Sequence, residues 1–310
     1  AIGSVMIPAM RRDGYKPEYA AALTAAGSIL GPLVPPSLSL ILYGVLTGTS
    51  IADLFLAGIV PAFLLCGVLI IYVLFKARRE GHPVPARVPD EERRGLALKA
   101  LPALLLPVII VGGIRSGVFT PTEAAAVAAV YALAIGTLLY RTLSVKKIVA
   151  AFYETATMTA GVMLIVAMAS MTSFILGIEN IPQAIAAQLL DISSSPWILI
   201  LLLNLVLLLL GLFLEPLAAL VLAMPILNEI FPLLHIDPVQ FGVMVVLNLM
   251  IGMITPPVGL CLFIVSAIGK VSLEKVARAV LPMIGICLVI LILVAFVPFL
   301  TLALPGLFKG

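Results

Sequence analysis

Charge is what this sequence has least of: Asp, Glu, Lys and Arg make up 11% of 310 residues. Soluble domains carry about a quarter, so a soluble globular fold is excluded. Histidine is nearly absent. His82 and His235 fall in loops, which rules against a His-based metal or haem centre. The three cysteines (Cys66, Cys261, Cys287) lie singly in apolar segments and form no disulfide or metal-ligand pattern. No G-x-x-x-x-G-K-[ST] phosphate loop occurs, so nothing in this sequence marks an ATP site of that kind. A net charge of +3 marks no nucleic-acid surface. The opening AIGSVMIPAM has no basic stretch ahead of an apolar one. It is not a signal peptide, and it reads as the continuation of an upstream segment.

What is present is hydrophobicity: 63% of residues, with a mean hydropathy of +1.26. The expected fold is an all-α polytopic membrane protein. Apolar runs predict a short helix at 1–10, a long run at 18–48 interrupted at GPLVPPS, and spans at 54–75, 97–113, 121–140 and 155–177. An amphipathic piece at 181–190 follows. Two helices, 196–213 and 216–231, meet at FLEP. A second interrupted run covers 239–269, and a last span covers 280–304. KARREGHPVPARVPDEERRG, residues 76–95, reads as a solvated linker. SVKKIVAAFYE (144–154) and SLEKVARAV (272–280) read as interfacial helices.

The helices 196–213 and 216–231 are short for a span of about 20 residues, and only Leu214 and Glu215 separate them. A re-entrant hairpin fits them, its tip surrounded by protein or a water-filled cavity. Basic residues set the orientation. With the loop at 11–18 in the cytoplasm, every Lys and Arg except Arg115 and Lys309 falls on that side. Counting the hairpin as two spans leaves this unchanged.

The sequence also repeats. One constant offset carries Pro17 onto Pro238, Gly31 onto Gly252, Pro35 and Pro36 onto Pro256 and Pro257, Gly48 onto Gly269, and Pro61 onto Pro282. Asp53 falls on Glu274. Four spans and a hairpin lie between the copies, so the second is inverted. Inverted repeats place their ligand site where broken helices meet near the midplane. Residues 1–10 match 216–231 in place and would be the returning arm of a first hairpin.

Proline removes the backbone donor that would reach the carbonyl four residues earlier. Pro35 and Pro36 therefore release the carbonyls of Gly31 and Pro32, Pro32 that of Ser28, and Pro256 and Pro257 those of Gly252 and Met253. Ser37 and Thr255 place a hydroxyl beside each break. Clustered carbonyls and a hydroxyl suit Na⁺. The half-helices starting near Ser37 and Val258 aim their positive ends at a carboxylate. Substrate contacts are accordingly expected at Val34, Pro35, Ser37, Pro256 and Val258. Glu215 reads as the N-cap of the helix that begins at Pro216, or as a contact to a cation at the hairpin tip. Asn204 and Asn248 read as inter-helix hydrogen bonds, Trp197 as an interfacial anchor and Glu123 as a helix cap.

GSVMIPAMRRDGYKPEYAAALTAAGSILGPLVPPS, FLEPLAALVLAMPIL and IDPVQFGVMVVLNLMIGMITPPVGLCLF resemble the large membrane (M, DctM-like) subunit of tripartite ATP-independent periplasmic (TRAP) transporters. The resemblance covers essentially the whole chain. It implies a multi-pass protein of the bacterial inner membrane that is not an enzyme and carries no cofactor. It implies Na⁺ as coupling ion, an organic-acid substrate such as a C4-dicarboxylate or sialic acid, a small four-helix Q subunit and a periplasmic binding protein. It further implies an elevator motion. The transport elements would be 1–50 and 196–270. The scaffold would be 51–154, with 155–195 connecting and 271–310 ending the chain. One Na⁺ would be held at Gly31, Leu33 and Pro36, and a second at Gly252, Ile254, Thr255 and Pro257 with Phe213 and Glu215. A Na⁺/carboxylate symporter working without a binding protein, and an ion channel, remain as alternatives.

Overall fold

In the computed structural model residues 2–81, 89–193 and 195–307 are described, and among them every regular element is helical. In chain order these are α1 (Ile2–Arg12), α2 (Pro17–Ser28), α3 (Leu38–Thr47), α4 (Ile51–Glu80), α5 (Asp90–Arg115), α6 (Pro121–Ala134), α7 (Val145–Ile178), α8 (Ile181–Ile192), α9 (Pro196–Phe213), α10 (Pro216–Leu234), α11 (Pro238–Gly252), α12 (Leu260–Gly269), α13 (Leu273–Phe296) and α14 (Phe299–Leu307). Among the described residues, seven helices are long and apolar enough to cross a membrane: α4, α5, α6 with the π-helical turn Ile135–Leu139, α7, α9, α10 and α13.

Contacts divide the chain into two units, residues 84–167 and the remainder. In the smaller unit α5 and α6 pack on each other. The Tyr131 hydroxyl on α6 donates to the Pro102 carbonyl on α5 at 2.9 Å, and that of Tyr140 to the Lys99 carbonyl. Thr120 and Glu123 form a reciprocal capping box at the start of α6, as expected. The apolar windows of α5, α6 and α7 are only 6% buried. Their side chains therefore suit a lipid environment more than a protein core.

The larger unit holds the repeat. Interior positions of α11 are buried on every side, from Val239 to Gly252. α2 packs on α12 and α13, and α11 packs on α3 and α4. α1 packs on α2 and α12, and α10 on α11 and α3. Exchanging α1 to α4 for α10 to α13 maps these pairings onto themselves. That is the packing of a two-fold repeat in which each broken helix crosses onto the second half of the other. Both Pro-Pro bonds, Pro35–Pro36 and Pro256–Pro257, are cis.

Three boundaries differ from the sequence expectations. Residues 144–154 are not a separate interfacial helix, because α7 runs unbroken for 34 residues. At 1.5 Å per residue that is about 51 Å, well beyond a hydrocarbon core of about 30 Å. No proline interrupts the helix, and Thr155, Thr157 and Thr172 return their hydroxyls to carbonyls four residues back. Residues 272–280 likewise belong to α13, which ends at Phe296, where Pro298 separates it from α14. The linker is shorter than 76–95: Lys76–Glu80 extends α4 and Asp90–Gly95 opens α5. His82 and Arg87, between them, lie outside the described residues.

Candidate functional site

The two interruptions follow the same course. After α2 the chain tightens, with Leu30 N–H donating to the Gly27 carbonyl and Gly31 N–H to that of Ser28. Val34 N–H returns to Leu30 at 3.0 Å. After α11, Ile254 N–H donates to the Ile251 carbonyl and Thr255 N–H to that of Gly252, both near 3 Å. Gly259 then takes a left-handed φ of +59°, a conformation that costs glycine little, and α12 begins.

Several released carbonyls find partners inside the protein, contrary to the simple expectation. The Pro32 oxygen accepts from the Ser37 hydroxyl at 2.5 Å, the Ser28 oxygen from Gly31 N–H, the Gly252 oxygen from Thr255 N–H and the Met253 oxygen from Cys261 N–H at 3.0 Å. Buried polar groups must be satisfied, and the shape of each loop allows it. Among the described residues no donor reaches the carbonyls of Gly31, Val34, Pro35 and Pro36 at the first break, or of Ile254, Thr255 and Pro256 at the second.

The side chains divide differently. Ser37 is buried. Besides donating to Pro32, it accepts from Leu40 N–H as the N-cap of α3. Its proton and one lone pair are engaged in shaping the turn. The Thr255 hydroxyl donates to the Ile251 carbonyl at 2.7 Å, which leaves its oxygen lone pairs available. The Leu33 carbonyl is pressed against α4: a Cβ on Gly58 would lie 2.5 Å from it. Val34, Pro36 and Pro257 are exposed, while Leu33, Pro35 and Ile254 are buried.

The hairpin tip comes to the second break. Gly211 on α9 and Gly252 at the end of α11 meet backbone to backbone: a Cβ on Gly252 would stand 2.5 Å from the Gly211 carbonyl carbon. Beyond that contact Phe213 ends α9, exposed, and Glu215 follows. The Glu215 carboxylate accepts from Leu217 N–H at 2.9 Å and Ala218 N–H at 3.1 Å, the capping role expected of it. Further up, Asn248 donates to the main-chain and side-chain oxygens of Asn204, also as expected. Trp197 stacks on Phe296 with centroids 5.0 Å apart. The sequence reading missed Gly58 and Gly211. A lone glycine in LLLLGLF is a signal of close helix approach that could have found the second.

Among the described residues no mate of α9 flanks the first break, since that mate would precede α1 in the repeat order. Instead α1, α2 and α12 enclose a mostly apolar groove of about 530 Å³. Its α2 wall includes Leu23, Gly27 and Ser28. These are the repeat mates of Met244, Asn248 and Leu249, which hold α9. The two broken helices touch across this groove, where Ser28 Oγ, its proton donated to the Ala25 carbonyl at 2.6 Å, stands 3.7 Å from Cys261 Sγ.

Against known proteins, the profile of the family described as "Tripartite ATP-independent periplasmic transporter, DctM component" matches residues 1–300. The sialic acid TRAP transporter large permease protein SiaM of Vibrio cholerae is 44% identical over 309 residues, covering 100% of this chain and 72% of its own length. The C4-dicarboxylate TRAP transporter large permease protein DctM of Pseudomonas aeruginosa is 42% identical over 306 residues, 99% of this chain and 72% of its own. The isethionate TRAP transporter permease protein DctMQ of Oleidesulfovibrio alaskensis is 39% identical over 311 residues, covering 100% of this chain and 48% of its own length.

Proposed function

The chain belongs to the DctM family of TRAP transporter large permeases, and from that premise we propose that it imports an organic acid by Na⁺ symport through an elevator motion. As a TRAP large permease it is a multi-pass protein of the bacterial inner membrane and a transporter, not an enzyme. The observation that carries the proposal is the pair of matched helix breaks, whose main-chain oxygens at Gly31 and at Ile254, Thr255 and Pro256 have no donor among the described residues. Oxygen ligands of this kind suit a hard monovalent cation, and broken helices supply them in inverted-repeat transporters.

In this reading one Na⁺ sits at the first break, around Gly31, Leu33 and Pro36. A second sits under the hairpin tip, around Gly252, Ile254, Thr255 and Pro257, with Phe213 and Glu215 contributing main chain. The substrate carboxylate lies between Val34–Ser37 and Pro256–Val258, facing the N-terminal ends of α3 and α12. Ser37 acts there through the turn it holds. Two Na⁺ with a monoanion move one net positive charge inward, which adds about 2.3 kcal/mol per 100 mV of membrane potential. With a dianion the cycle is electroneutral, and only the Na⁺ gradient drives it. In this reading α1 to α3 and α9 to α12 travel as a transport domain against a scaffold that includes α4, α5, α6 and α13.

A small Q-type permease subunit and a periplasmic binding protein complete the system. Relatives named for sialic acid, a C4-dicarboxylate and isethionate define the acids to try first. The test is uptake into proteoliposomes containing the chain and its small subunit, with binding protein outside. Uptake of one acid that needs both an inward Na⁺ gradient and the binding protein is the expected result. Uptake unchanged in K⁺ medium refutes Na⁺ coupling. Na⁺-driven uptake without binding protein identifies a plain symporter.

A further inference from the structure

Between α9 and α11 the larger unit holds a polar clasp in a largely apolar setting. α9 reads PWILILLLNLVLLLLGLF, with a single amide side chain among leucines. Opposite it on α11 stands Asn248, 0% exposed. Asn248 Nδ2 donates to the Asn204 main-chain oxygen at 2.8 Å and to Asn204 Oδ1 at 2.7 Å. Asn204 Nδ2 in turn donates to the Ile200 carbonyl at 2.8 Å and to Met244 Sδ at 3.3 Å. Asn248 Oδ1 accepts from no group among the described residues and is buried.

A buried acceptor without a donor costs about 1–3 kcal/mol, so stability is a poor reason to place an amide here. Register is a better one. Leucine-rich helix faces pack acceptably at several offsets, whereas a polar pair selects one. Asn248 Nδ2 grips both the main chain and the side chain of one residue, which fixes the axial position and the rotation of α9 together. One turn along α11 from Asn248 is Gly252, and two turns along α9 from Asn204 is Gly211. There the two backbones meet without any side chain to interlock. The repeat mate of Asn248 is Gly27, which has no side chain with which to form such a clasp.

We propose that Asn204 and Asn248 are positioning residues that set the register of the hairpin tip over the second break, and so tune the affinity of the Na⁺ site there. The pair touches no ion itself. It acts by holding the Phe213–Glu215 main chain opposite Gly252–Pro257. This rests on the Na⁺ reading above.

The test needs no substrate. The chain, purified with its small subunit, is melted across a NaCl series with KCl keeping ionic strength constant, and the half-saturating Na⁺ for stabilisation is read. In Asn204→Leu/Asn248→Leu the melting temperature in KCl is expected to hold or rise, because the orphaned oxygen is gone. Half-saturating Na⁺ is expected to rise roughly 3- to 30-fold, the range of one inter-helix hydrogen bond. Asn204→Ser, which keeps a small polar group but breaks the double grip, gives a smaller rise in the same direction and serves if the leucine pair does not fold. A variant that folds with unchanged half-saturating Na⁺ overturns the proposal, whatever its melting temperature. A wild-type protein that Na⁺ stabilises no more than K⁺ does overturns the Na⁺ reading itself, and the proposal with it.

Discussion

The two Pro-Pro breaks share a skeleton and differ in what surrounds them. At the second, α9 lies directly on Gly252, which is buried, and the Asn pair locks the contact. At the first, Gly31 is exposed and its neighbours Gly27 and Ser28 face a groove. A broken helix therefore makes only half of a site. The backbone path sets which oxygens are released, and the covering hairpin sets how tightly they are held and what can reach them.

Exchanging single atoms at equivalent positions sharpens this contrast, and Gly252→Ala should have the largest effect. Its Cβ would collide with Gly211 backbone that cannot rotate away, so Na⁺-driven uptake should fall about tenfold or more, equivalent to ~1.4 kcal/mol. At the first break a Cβ on Gly31 meets, among the described residues, only the Ser28 oxygen, at 3.5 Å, so these contacts predict a smaller loss for Gly31→Ala than for Gly252→Ala. Equal losses in the two variants would show the first break to be covered as closely as the second. Gly58→Ala should come next: its Cβ displaces the Leu33 carbonyl and should weaken Na⁺ stabilisation while leaving the Asn clasp intact, as seen by unchanged hydrogen exchange in α9.

Thr255→Ala is expected to raise half-saturating Na⁺ severalfold and leave assembly unchanged, since the threonine keeps free lone pairs. An unchanged Na⁺ response would remove the side-chain role and leave only the carbonyls. Ser37→Ala should do the reverse, lowering stability by about 1 kcal/mol as a lost N-cap with little change in Na⁺ response. Smallest is Glu215→Gln: it retains an acceptor for Leu217 and Ala218 N–H, and melting should shift by no more than about 0.5 kcal/mol.

Much of this was legible in advance because proline and glycine act locally. Pro35, Pro36, Pro256 and Pro257 interrupt a helix wherever it lies, and α2, α3, α11 and α12 end and begin where those residues require. Caps were equally readable: Glu123 and Glu215 sit beside Pro-initiated helices whose first N–H groups need acceptors. Ends of helices were less so. The charged flanks of α7 and α13 resemble interfacial helices, yet nothing in them breaks a hydrogen-bond ladder, so helix continues through both. The released carbonyls were only half readable. Whether Met253 stays open depends on Cys261 folding back to it, which no local pattern specifies.

By itself the sequence determined a multi-pass helical protein, its internal repeat and the two places where helices break. Each of these follows from hydropathy, or from glycine and proline, the second of which cannot donate a backbone hydrogen bond. Only the tertiary structure decided that Gly211 rests on Gly252, that Asn204 and Asn248 face each other, and that Ser37 serves its own turn. Those depend on how separate helices approach, and in an apolar environment approach is set by shape and by a few polar pairs that the chain brings together only when folded.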